Sequence, residues 1–247
     1  MNLAIRLVAA LTILSFLGGC AATSVALGKK DLRVETKTST AIFVDPVAKD
    51  KRTVYLDVKS GVMEFDRRSF KTFVKDQFIA NADSGYTVVD NPDTAQFHMQ
   101  VYVLNLEEAA PTAAEAALNT GYVGSIGAGA VAGGVMTNSY KGAAAGGLLG
   151  GAAELIAGSL VHDVTFMLVC DVKISEKTRK GVIVRKDTQI SGKDSDAGSS
   201  KQRVSEVSNR KEYQTRIVTT ANKANLKLPD AQDLMFQKTA YAMAGFF

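Results

Sequence analysis

The stretch Val164-Thr165-Phe166-Met167-Leu168-Val169-Cys170-Asp171-Val172-Lys173-Ile174 decides the fold of this chain. Aliphatic and β-branched side chains dominate the run, and His162 and Asp163 precede it. This composition predicts a β-strand that is largely buried. We therefore expect Cys170 to be a buried core residue, and we expect the chain to be built around a sheet.

Similar patterns on both sides of this strand predict an α+β fold, in which helices pack on a mixed sheet. Alternating or β-rich runs predict strands in residues 32–44, 52–58, 86–89, 97–104, 181–184 and 213–218. A helical face formed by Phe70, Phe73, Val74 and Phe78 predicts a helix over 65–80, and Pro229 opens a last helix to about Ala244. Residues 191–210 are polar and rich in glycine and serine, which predicts an exposed, mobile loop.

A glycine- and alanine-rich segment interrupts this body, which we assign to residues 32–110 and 162–247. Glycine recurs at four-residue intervals in two apolar arms, 121–136 and 142–161. This spacing places small residues on one helical face, where they let helices pack closely in lipid. We predict a glycine-zipper helical hairpin over 118–161 that inserts into the membrane. Two alternatives are a flexible linker and a hairpin packed on its own sheet or lying in the interface.

One hairpin cannot cover both of its glycine faces, and Glu154 at membrane depth needs a partner or water. We therefore expect a homo-oligomer, in the form of a closed ring. The residues expected to contact the membrane or a neighbouring subunit are Gly121, Gly129, Gly133, Gly142, Gly146, Gly150, Gly158 and Glu154.

The first residues have the layout of a secretory signal peptide. Arg6 precedes an apolar run over 7–17, which is too short to span a bilayer. Leu17-Gly18-Gly19-Cys20 resembles the lipobox of bacterial lipoproteins, which predicts removal of residues 1–19 and acylation of Cys20. Residues 20–31 would then be a lipidated tether. In bacterial lipoproteins an Asp after the acylated cysteine tends to retain the protein at the inner membrane. Here Ala21 and Ala22 follow the cysteine, so we expect the protein to lie in the outer membrane.

We predict that the protein is not an enzyme and that it has no cofactor or metal site. The two histidines, His98 and His162, lie in no catalytic motif, and no His or Cys pair has metal-ligand spacing. A pair of Cys170 with His162 is conceivable, but a cysteine in an apolar strand is typical of a core. The formal net charge of +4 is too small to indicate binding of nucleic acid.

Several segments together carry a family resemblance. They are residues 29–37, 52–56, 121–122, 161–178, 213–216 and 222–226. With these segments the chain resembles the TraT family of outer-membrane lipoproteins over nearly all of its mature length.

The resemblance implies surface exclusion in conjugation, by which a recipient forms fewer mating contacts with related donors, and it also implies complement resistance. It suggests a component of the donor-cell surface or pilus as partner. We expect specificity at the tip of the hairpin, in Thr137, Asn138, Ser139, Tyr140 and Lys141. The alternatives are a general envelope or serum-resistance role without conjugation, and an oligomeric outer-membrane pore.

Overall fold

The computed structural model describes residues 28–81, 84–110, 112–122, 162–195 and 198–247. The strands are β1 (Arg33–Thr38), β2 (Thr53–Ser60), β3 (Thr87–Val89), β4 (Phe97–Glu108), β5 (Asp163–Lys177), β6 (Val184–Ser195), β7 (Gly198–Ser208) and β8 (Arg210–Ala224). The helices are α1 (Arg67–Ala80), α2 (Ala113–Thr120) and α3 (Leu228–Ala244), and a 3-10 turn spans Lys49–Lys51.

Six of the strands form one mixed sheet in the order β1-β8-β5-β4-β2-β3. The strand β2 runs parallel to both β3 and β4, and α1 makes the crossover between β2 and β3. The other neighbours are antiparallel, and β5 pairs with β8 along the whole length of both strands. The strand predicted from Val164 to Ile174 is therefore confirmed, and it lies at the centre of the sheet.

The main core lies between one face of the sheet and the helices α1 and α3. Alternation along β5 directs Leu168, Cys170, Val172 and Ile174 to this face, where all four are fully buried. The predicted apolar face of α1 is confirmed by the burial of Phe70, Val74 and Phe78. Asp66 caps this helix, because its carboxylate accepts hydrogen bonds from the amides of residues 68 and 69.

The short helix α2 covers part of the opposite face of the sheet. Its Ala113 and Ala117 pack on Met167, Val169 and Val218, which form a second, smaller core. Small side chains let the helix lie close to the strands, because alanine adds little bulk between the two backbones. The sheet is therefore buried on both faces at its centre.

The prediction of an exposed loop over residues 191–210 is wrong. The strands β6 and β7 form a two-stranded antiparallel hairpin that covers most of this range, and β8 begins at Arg210. Polar composition misled the prediction, because a hairpin outside the main core can be polar on both faces. Its strands are defined by pairing with each other, not by burial.

The prediction of an α+β fold with a membrane-inserting helical hairpin is also wrong. The fold is β-rich, with roughly twice as many residues in the described strands as in the described helices. Within the described ranges there is no helical hairpin, and none of the helices is long and apolar enough to cross a membrane. Most of the residues assigned to the hairpin, 123–161, lie outside the described residues.

The two described flanks of this segment are α2 and β5. The helix α2 ends at Thr120, where Gly121 adopts a φ of 66° and a ψ of −165°. The strand β5 begins at Asp163.

Candidate functional site

The sheet face that carries α2, here called the α2 face, contains the most distinctive polar features of the described structure. Its centre is a buried ion pair between Arg216 of β8 and Asp171 of β5. Nε of Arg216 donates to Oδ1 of Asp171 at 2.7 Å, and Nη2 donates to Oδ2 at 3.1 Å. Both side chains are almost fully buried, with 3% and 1% of their surface exposed. Such a bidentate, desolvated pair is geometrically demanding, so it sets the positions of its neighbours.

The same guanidinium holds α2 in place. Nη1 of Arg216 donates to the carbonyl oxygen of Ala117 at 3.3 Å, so one side chain joins two central strands to the helix. That carbonyl lies in the last turn of α2, where backbone acceptors lack partners within the helix. The ion pair therefore positions the end of α2.

A small cavity lies beside the ion pair. Tyr122 lines it with Asp171, Lys173, Asp57 and Tyr102. Burial raises the pKa of the Tyr122 phenol, and the negative charges of Asp171 and Glu212 raise it further. The tyrosine is therefore a neutral hydroxyl at physiological pH.

A larger cleft, which we call the β1–α2 cleft, lies between the edge strand β1 and the helix α2. Its volume is about 230 Å³. Arg33, Glu35 and Lys37 project from β1, and Glu115 and Leu118 project from α2. The cleft combines both signs of charge with an apolar wall, which suits an amphipathic ligand.

Most of the predicted site residues cannot be placed. Gly121 is described, and it ends α2 instead of opening a helical arm. The others lie outside the described residues: Cys20, Gly129, Gly133, Gly142, Gly146, Gly150, Glu154, Gly158, Thr137, Asn138, Ser139, Tyr140 and Lys141. Their proposed roles in lipidation, association and specificity stay predictions.

The prediction that Cys170 is a core residue is confirmed. Its side chain is fully buried, and burial followed by the nearby Asp171 charge raises the pKa of its thiol. His162 precedes β5 and Cys170 lies eight residues further along, about 26 Å away in an extended strand. A catalytic pair of these two residues is therefore excluded by distance. In the described part of the chain no group of His, Cys, Asp and Glu could hold a metal ion.

The second histidine, His98, lies on the α2 face of β4. Its Nε2 is 2.6 Å from the carbonyl oxygen of Pro92 and 3.1 Å from Nη2 of Arg210. Burial lowers the pKa of the imidazole, and Arg210 and Lys177 lower it further. In a neutral imidazole this nitrogen either donates to the Pro92 carbonyl or accepts from the Arg210 guanidinium, depending on the tautomer. The second tautomer links β4 to β8.

Asp171 and Arg216 were missed by the sequence analysis, although a signal existed. Each is a charged residue inside a run of buried strand positions, Met167 to Val172 for the aspartate and Thr215 to Thr219 for the arginine. Charged residues are almost never fully buried unless they are paired. Two opposite charges in two core strands therefore indicate a buried pair.

Comparison with known proteins identifies the family. Residues 31–247 match the model of the enterobacterial TraT complement resistance protein family. A TraT complement resistance protein of Escherichia coli is 33% identical over 251 aligned positions, which cover 97% of each chain. Another from the K12 strain is 32% identical over 231 positions, which cover 92% of this chain and 91% of that one.

Among solved structures, the PelC dodecamer from Paraburkholderia phytofirmans aligns with 85% of this chain and 96% of its own. The identity is 5% and the TM-score is 0.31, so this likeness is too weak to support an argument. The family match and the identities to the two Escherichia coli proteins are sufficient by themselves, and the chain belongs to the TraT family of complement resistance proteins.

Proposed function

We propose that this protein is an outer-membrane lipoprotein that protects the cell surface, both by resisting complement and by excluding conjugation with related donors. The observation that carries the proposal is the similarity to TraT complement resistance proteins over almost the entire chain. Similarity of this extent supports a common role, because it includes the sheet, the helices and the segment between α2 and β5. Surface exclusion is the finer part of the proposal, and it rests on the sequence resemblance.

The proposal includes anchoring through lipid on Cys20. Leu17, Gly18 and Gly19 precede this cysteine in the arrangement of a lipobox. More than one acyl chain on the terminus would give stable attachment, since each buried methylene contributes about 0.8 kcal/mol. The remaining cysteine, Cys170, is buried in the core and is not available for modification.

Self-association is a further part of the proposal. Among the described strands β1 pairs only with β8 and β3 pairs only with β2, which leaves an open edge at each end of the described sheet. Open edges present unpaired backbone groups that can pair with another chain. Light scattering of the protein in mild detergent measures its mass, and a monodisperse monomer would contradict this part.

The test compares cells that express the wild type, Cys20→Ala or Cys170→Ala. The two variants each remove one cysteine, but only the first removes the proposed acylation site. We expect wild type and Cys170→Ala to fractionate with the outer membrane and to raise survival in active serum relative to heat-inactivated serum. We expect Cys20→Ala to lose both properties.

The same strains serve as recipients in matings. Donors with a related conjugative plasmid should transfer at a lower frequency to the wild type, and donors with an unrelated plasmid should not. Unchanged serum survival in the wild type would contradict complement resistance, and equal transfer from both donors would contradict surface exclusion. Membrane attachment of Cys20→Ala equal to that of the wild type would contradict the anchor.

A further inference from the structure

The β1–α2 cleft has an ordered polar floor. On its floor Arg33 lies opposite Asn222 of β8, and Glu35 lies opposite Thr220. Nδ2 of Asn222 donates to Oδ1 of Asp163 at 2.7 Å and to Oγ1 of Thr165 at 2.8 Å. These hydrogen bonds join β8 to β5, and strand pairing joins β8 to β1. The floor is therefore ordered without a ligand, which lowers the entropic cost of binding.

The charges of the cleft are mixed. Arg33 and Lys37 leave the same face of β1 on either side of Glu35, and all three are exposed. Glu115 faces them from α2. In the described part of the chain, neither Arg33 nor Lys37 makes an ion pair. A third cation that lines the cleft, Lys29, is paired with Asp163. The other four charged groups are two cations and two anions, so a ligand with one sign of charge would meet repulsion from half of them and a zwitterion fits them better.

The remaining wall of the cleft is apolar. Ala114 and Leu118 of α2, which pack on the cluster that contains Val218, line this wall, and Leu118 is only partly buried. A ligand that covers these side chains would remove apolar surface from water, which stabilises a complex by about 25 cal/mol per Å². At about 230 Å³ the cleft has room for a head group and the first methylenes of a chain, not for a whole lipid.

We propose that the β1–α2 cleft binds the head group of a zwitterionic phospholipid with a primary ammonium, of the phosphatidylethanolamine type. Arg33 and Lys37 would contact the phosphate, since guanidinium and ammonium groups form charge-assisted hydrogen bonds with phosphate oxygens. Glu35 and Glu115 would accept hydrogen bonds from the ligand ammonium. Leu118 and Ala114 would cover the start of an acyl chain.

The position of the cleft along the chain supports a lipid over a soluble zwitterion. Lys29, which lines one end of the cleft, lies nine residues after Cys20. Nine extended residues reach at most about 32 Å. This step rests on the proposed lipid anchor, which would keep the cleft within that distance of the bilayer.

The test is calorimetric titration of the full-length Cys20→Ala protein with monomeric short-chain lipids. The probes are dihexanoyl phosphatidylethanolamine, the corresponding phosphatidylglycerol, and a neutral monoacylglycerol. We expect the ethanolamine lipid to bind at least about tenfold more tightly than the anionic glycerol lipid. The assay does not require the lipid anchor. Absence of binding would therefore refute the proposed lipid site in the cleft, whereas anchoring through Cys20 is tested separately by the fractionation experiment.

Three variants locate the binding. The double variant Arg33→Ser with Lys37→Ser should lower the affinity for both phospholipids at least about tenfold. The control, Lys49→Ser with Lys51→Ser, makes the same charge change on an exposed turn and should leave both affinities unchanged. Glu115→Gln should lower the affinity for the ethanolamine lipid and leave the affinity for the glycerol lipid unchanged. The proposal is overturned if the ethanolamine lipid does not bind, if the glycerol lipid binds as tightly, or if the double variant with an unchanged urea midpoint binds like the wild type.

Discussion

Replacement of Arg216 by methionine tests whether the buried ion pair holds the α2 face together. The change keeps a long apolar stem but removes the guanidinium that contacts both Asp171 and the Ala117 carbonyl. Removal of one partner from a buried pair costs about 3–5 kcal/mol, because the other charge stays in a medium that solvates it poorly. The two exposed fractions, 3% and 1%, place this pair in that class.

In a chain of this size, each kcal/mol lowers the melting temperature by about 2–4 °C, so a fall of about 6–20 °C is expected. Urea unfolding followed by circular dichroism measures the free energy directly. The matched control is Arg203→Met, which removes an exposed ion pair. Nη2 of Arg203 lies 4.0 Å from Oδ2 of Asp187, and 77% and 60% of the two side chains are exposed. That variant should lose less than about 0.5 kcal/mol.

A second variant separates loss of the pair from loss of packing. Asp171→Leu combined with Arg216→Met replaces both charges by apolar groups, and such replacements are often neutral or stabilising. We expect the double variant to be more stable than Arg216→Met alone. A loss below about 1 kcal/mol in Arg216→Met, or a double variant less stable than the single, would refute the reasoning.

Three further changes probe the backbone, the core and the pH response. Gly121→Ala should lower the free energy of unfolding by about 1–3 kcal/mol, because the φ of 66° at this position is unfavourable for alanine even though no atom would block the added methyl group. The control Gly28→Ala should leave the free energy of unfolding unchanged. Equal urea midpoints for the two variants would contradict this prediction. In Cys20→Ala, Cys170 is the sole thiol, and a thiol reagent should label it only after unfolding; rapid labelling of the native protein would contradict its burial. Folding lowers the pKa of His98, so the folded state binds fewer protons than the unfolded state and the free energy of unfolding should fall as the pH drops below the ordinary pKa of 6.5. His98→Gln should lose less stability than the wild type over the same pH range. Parallel curves of unfolding free energy against pH for the two proteins would count against the explanation.

Local patterns in the sequence determined most of the individual elements. The alternation in residues 164–174, the helical face of Phe70, Val74 and Phe78, and Pro229 at the start of α3 each reflect a period or a terminus that neighbouring residues impose. The family was also evident at this level, because the segments that carry the resemblance lie along the whole chain.

Prediction failed where the structure depends on pairing between distant residues. The polar residues of β6 and β7 have no hydrophobic period, and their strands exist because each supplies hydrogen-bond partners to the other. The spacing of the glycines predicted a helical arm that begins at Gly121. In the structure Gly121 instead ends the helix α2.

The two features of the α2 face were decided by tertiary structure alone. Asp171 and Arg216 are 45 residues apart and meet because β5 and β8 pair in antiparallel register. The β1–α2 cleft joins residues near positions 33, 115 and 220, which no local pattern relates. The sequence determines which side of a strand or helix each residue occupies, because that depends on neighbours within a few positions. Which sides face each other depends on sheet order and register, and these are set by the burial and hydrogen bonding of the whole chain.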